Sequence, residues 1–87
     1  MEFLTRPLFE AAIAAQGQRF SSQSIIDHFY RFEQVAYVEE LYKHRLAGTY
    51  PFTEVHRQIG RYLHTFDNLT LDPQRDAADP TAHWRKP

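Results

Sequence analysis

Arg57 and Arg61 stand one helical turn apart, with Thr53 and His64 at compatible spacing on either side of them. Side chains three and four residues apart share a helix face. A row of this composition can reach phosphates, and a guanidinium can also grip a guanine edge with two hydrogen bonds. Gln58, to one side of the row, carries an amide suited to adenine. Gly60 falls between these residues, where it costs about 1 kcal/mol relative to Ala in a helix. Its missing side chain admits a close neighbour, which could be a protein or nucleic-acid backbone. Arg85 and Lys86 add positive charge near the C-terminus.

Other chemistry is poorly supplied. Five histidines are present, but none forms an HExxH or His-x-x-x-His pair. His56 and His64 lie two helical turns apart, too far for joint ligation. The sequence has no cysteine nucleophile, no Gly-rich phosphate loop and no Gly-x-Ser-x-Gly elbow. Glu39 and Glu40 diverge on a helix and read as a solvated pair, while Ser21, Ser22 and Ser24 read as capping residues. The expectation is a protein with no catalytic residues, metal or cofactor; it is not an enzyme.

With 87 residues, the chain has the length of one small domain, 1–87. Hydrophobic residues make up 43% and charged residues 24%, which argues against intrinsic disorder. The absence of cysteine excludes a disulfide framework and a thiolate zinc finger. No apolar run approaches the length of a membrane span, and the N-terminus lacks a signal-peptide pattern. A cytoplasmic location is therefore expected. The formal net charge of -1 excludes a bulk polycation. The charge is uneven: residues 1–40 carry three arginines against six carboxylates, and residues 41–87 carry seven Lys or Arg against five.

These residues need elements to hold them. The spacing predicts a first helix over Arg6–Gln16, opened by Thr5 and Pro7 and closed near Gly17. Phe20 falls in a short extended link. Ser21 or Ser22 caps a second helix with Ile25, Ile26, Phe29 and Phe32 on its stripe. A third pattern follows in Val35, Val38, Leu41, Tyr42 and Leu46. With no Gly or Pro between them, these are one bent helix or two joined near Arg31–Gln34. Gly48 and Pro51 break the chain. Thr53 is expected to cap the last helix, with Phe52 as a hydrophobic staple before it. Val55, Ile59, Tyr62, Leu63 and Phe66 give that helix the cleanest apolar face in the sequence.

After residue 66 the pattern changes. Asn68–Leu71 and Thr81–Lys86 alternate polar and apolar residues across an Asp/Pro-rich loop, which predicts a β-hairpin over 67–87; a partly disordered tail is the competing reading. Leu69, Leu71, Ala82 and Trp84 would face the helices.

Aromatic residues crowd the middle helices, and Tyr30, Tyr37 and Tyr42 are read as interface residues. They suggest a homodimer or a protein partner. A mainly α domain, with helices 1–66, a Gly/Pro turn, a basic amphipathic helix and a terminal hairpin, resembles a winged helix-turn-helix DNA-binding domain in element order. The resemblance implies that the helix near 53–66 enters the major groove of double-stranded DNA. It makes Thr53, Arg57, Gln58, Arg61 and His64 the reading face, places Arg75 near the wing tip, and sets Arg85 and Lys86 along the wing's second strand. The function implied is transcriptional regulation or an accessory role. The alternative is a small protein-interaction module, an adaptor or a phage- or plasmid-type inhibitor, working through the aromatic helical surface.

Overall fold

The computed structural model describes residues 1–73 and 75–87. Helix α1 runs Arg6–Ala14, ending two residues before the predicted limit. The Thr5 carbonyl accepts from the Leu8 and Phe9 amides at 3.0 and 3.1 Å, whereas its hydroxyl makes no capping bond. Strand β1 is Arg19–Ser21. Helix α2, Ser22–Phe32, starts with a reciprocal capping box: Ser21 Oγ accepts from the Ser24 amide, and Ser24 Oγ accepts from the Ser21 amide.

Two helices, not one bent helix, occupy the middle of the chain. Glu33, at φ -131 and ψ 47, leaves helical geometry, and α3 begins at once over Gln34–Leu46. Gly48 at φ 78 then takes the left-handed conformation that turns the chain after α3.

Helix α4 spans Pro51–Leu63 with Tyr50 at its N-cap, three residues earlier than a Thr53 cap would set it. Proline at the first helical position has no N–H to lose and a φ already suited to the helix. Thr53 therefore lies inside the first turn. Phe52 is also helical and largely exposed, so it is no staple.

Strands β2 (Thr70–Leu71) and β3 (His83–Arg85) form the expected C-terminal hairpin. Strand β1 joins it to give an antiparallel sheet in the order β1-β3-β2. Arg19, Phe20 and Ser21 pair with Arg85, Trp84 and His83, and Leu71 pairs with Trp84 from the other side. Among the described residues the fold is thus mainly helical, with four helices and three short strands. Residue 74, in the loop of the predicted hairpin, lies outside the described residues.

The core lies between the helices and the inner sheet face. Phe9, Ile25, Phe29, Val55, Ile59, Leu63 and Trp84 are buried there. Phe9 meets the Phe29 ring at 5.0 Å edge-on and the Tyr62 ring at 4.4 Å. Leu69, Ala82 and Trp84 point inward as the alternation predicts, with Leu71 partly covered.

Helix α3 departs from its predicted pattern. Its inner face presents Tyr37 and Glu40, with Ala36 and Leu41 partly buried, whereas Val35, Val38, Tyr42 and Leu46 are exposed. The helix is apolar on two opposite faces, so periodicity alone does not select the inner one. Tyr37 is consequently a core residue and no surface contact. Its hydroxyl shares a 2.7 Å hydrogen bond with His56 Nε2. Glu40 is fully buried, which corrects the expectation of a solvated Glu39–Glu40 pair. Its Oε1 accepts from the Phe3 and Leu4 amides and so fastens the N-terminal segment to α3.

Candidate nucleic-acid interface

The exposed face of α4 carries Thr53, Arg57, Arg61 and His64, as the helical spacing requires. From Thr53 to His64 the row covers about 16 Å at the α-helical rise. Gln58 is half-buried at its edge. Arg57 Nη1 stands 3.6 Å from Glu54 Oε1, an i,i+3 pair of an exposed arginine and a half-buried glutamate. Such pairs contribute little and exchange readily for a stronger partner. Arg61 has no ion-pair partner among the described residues.

Gly60 explains how the opposite flank of α4 is covered. A Cβ there would run into the backbone carbonyl of Ala77, with the carbonyl carbon at 3.0 Å. The neighbour admitted by this glycine is the chain's own loop before β3, not a nucleic-acid backbone.

A second basic group lies on the sheet. Strand alternation sends Phe20 and Trp84 inward, and Arg19, His83, Arg85 and Thr70 outward. Arg19 and Arg85 are direct cross-strand partners. Neither has an ion-pair partner among the described residues. Like charges placed directly opposite on a sheet oppose its formation. An anion lying between the two guanidiniums would relieve that repulsion. Arg19, Thr70, Arg75, His83 and Arg85 line an open cleft of about 530 Å³, with Asp72 also on its wall. Arg75 is steadied by a 3.1 Å hydrogen bond to Thr81 Oγ1 and a 3.9 Å approach to Asp79. The Thr81 backbone and hydroxyl both donate to Asp79, holding its carboxyl below the usual carboxylate range.

The predicted nucleic-acid residues therefore fall into separate groups. Thr53, Arg57, Arg61 and His64 share α4, with Gln58 at the margin, whereas Arg85 belongs to the outer sheet face. The His64 ring lies 5.9 Å from the Trp84 ring, which tethers the end of α4 to the inner side of β3, whereas Arg85 faces outward from the same strand. Lys86 has a separate contact, its Nζ donating to the Gln16 carbonyl at 2.8 Å just beyond α1. Arg19 escapes sequence reasoning. Its signal is the exposed–buried alternation through Phe20, which is too short to reveal a strand until β3 pairs with it.

Tyr30 and Tyr42 are exposed, as interface residues must be, while Tyr37 is not. Among the described residues no group of three or more His, Asp or Glu gathers to hold a metal ion. None of the described helices is long and apolar enough to cross a membrane.

No known protein family, curated protein or solved structure matches this chain.

Proposed function

We propose that this chain is a non-catalytic protein that binds double-stranded DNA, as a transcriptional regulator or an accessory subunit. The observation that carries the reading is the cross-strand pair Arg19–Arg85, two exposed arginines directly opposite each other on adjacent strands, neither with an ion-pair partner among the described residues. Arg75 and His83 line the same cleft. Two such guanidiniums suit successive phosphate oxygens, each able to accept charge-assisted hydrogen bonds.

In this reading α4 enters the major groove. Arg61 and Arg57 contact guanine edges or flanking phosphates, while Thr53 and His64 contact the backbone and Gln58 serves at the margin. The sheet lies along the adjoining backbone, with Arg85 and Arg19 supplying sequence-independent attraction and Lys86 contributing long-range charge. The slightly acidic total does not oppose this, because attraction depends on where charge is exposed.

Fluorescence anisotropy with a labelled duplex at about 50 mM salt tests the reading, since electrostatic attraction is strong there. Saturable binding is expected, with Arg57→Ala/Arg61→Ala weaker by about 1–3 kcal/mol for each guanidinium that reads a base. Absence of duplex binding by the wild type at that salt overturns it. A protein-interaction module is the second reading, favoured by the exposed Tyr30 and Tyr42.

A further inference from the structure

The outward stripe of α3 is the molecule's most conspicuous unpartnered surface. Val35, Val38, Tyr42 and Leu46 recur at spacings of three, four and four residues, and each is at least half exposed. This is the spacing of a helix–helix seam. The opposite face of the same helix already packs into the core through Tyr37 and Glu40. The stripe is therefore not a displaced core face. A shallow groove of about 280 Å³ lies at its N-terminal end between Gln34, Val35, Val38 and Glu39.

We propose that a second copy of this chain covers this stripe, with the two α3 helices antiparallel about a two-fold axis. Charge decides the orientation. The solvent-facing acid Glu39 lies in the N-terminal half of α3, and Lys43 and Arg45 lie in the C-terminal half. A parallel pair would set basic end against basic end. An antiparallel pair brings Glu39 of each copy to the flank that carries Lys43 of the other, twice by symmetry. It also opposes the two helix dipoles favourably. Lys43 already approaches Glu2 at 3.3 Å, but that contact is exposed and leaves the ammonium available for sharing.

The same arrangement pairs Val35 with Leu46 of the other copy and Val38 with Tyr42. The groove beside Val35 then receives Leu46 as a knob. Phe32 before α3, and Tyr50 and Phe52 after it, are exposed apolar residues that flank the helix in sequence. An aromatic side chain can bury about 150–250 Å². A standard interface takes roughly 800 Å² per partner, so the proposed seam must recruit such flanking aromatics as well as the four stripe residues. The proposal does not depend on DNA binding, and its test uses no nucleic acid.

Sedimentation equilibrium from about 1 to 100 μM is expected to show a dimer, within the affinity range of interfaces of this size. Val38→Asp should shift the chain to monomer with its circular dichroism unchanged, because Val38 is already solvent-facing. A wild-type monomer across the whole range overturns the proposal, and so does a dimer indifferent to Val38→Asp. Orientation is read by disulfide trapping, which is clean because the chain has no cysteine. Mixed Val35→Cys and Leu46→Cys chains should oxidise mainly to the heterodisulfide. Predominant linkage of each variant to itself overturns the antiparallel arrangement.

Discussion

The indole N–H of Trp84 donates to the Ser22 hydroxyl at 2.8 Å, joining residues 62 apart in sequence, both fully or almost fully buried. Ser22 opens α2 and Trp84 is the middle residue of β3, so this bond ties the C-terminal hairpin to the helices. It also fixes the sheet's sidedness. With Trp84 held inward, Arg85 must point outward, opposite Arg19.

Trp84→Ala should cost about 3–5 kcal/mol, the range for deleting a core aromatic. Trp84→Phe should cost about 1–3 kcal/mol through the unpaired Ser22 hydroxyl, in addition to poorer packing. Urea melts of the two variants measure both. Native Trp84 fluorescence should be blue-shifted; emission at the wavelength of a solvated indole would contradict the packing of the sheet.

Gly60→Ala should destabilise the protein even though alanine is the better helix former by about 1 kcal/mol. The added Cβ meets the Ala77 carbonyl, which belongs to backbone and cannot rotate aside. Overpacking of this kind costs about 1–3 kcal/mol. Thermal unfolding of the variant measures the balance, and a raised midpoint would contradict the close approach.

His56 gives the fold a pH dependence. Burial lowers its pKa from the ordinary 6.5, and the Asp27 carboxylate only partly opposes that effect. The unfolded chain therefore takes up a proton at a higher pH than the folded one. The contribution is fully present above about 6.5 and declines as pH falls through 6.5 toward the lowered folded value. The slope from this one group is at most about 1.4 kcal/mol per pH unit. Urea melts at pH 7.5 and 5.5 should show less loss of stability in His56→Gln than in wild type. Equal losses would place the acid sensitivity elsewhere.

Sequence periodicity serves best where one face of an element is buried. The apolar spacing of α4 is unambiguous, so its outward Arg57–Arg61 row is legible with it. The alternation around Trp84 likewise reveals the hairpin and its inner face. Helix α3 is apolar on both sides, and its stronger apolar spacing points to the face that is in fact outward. Tyr37 looks like a surface residue because the sequence does not show that His56 stands ready to share a hydrogen bond with its hydroxyl. Glu40 looks solvated because its partners are the amides of Phe3 and Leu4, far away in sequence and invisible to local pattern. Arg19 acquires its place only through long-range pairing of β1 with β3.

The salt dependence of duplex binding tests the central claim most directly. It should be measured for the wild type and for Arg19→Ala/Arg85→Ala, whose substituted side chains point away from the core. The wild type should bind more weakly as salt rises, with a linear log–log slope. The variant's slope should be smaller by about 0.9 for each phosphate no longer engaged, and therefore by about 1.8 if both guanidiniums engage phosphates. A wild type that binds no duplex at about 50 mM salt, or a variant with an unchanged slope and affinity, would contradict a nucleic-acid role for the Arg19–Arg85 pair.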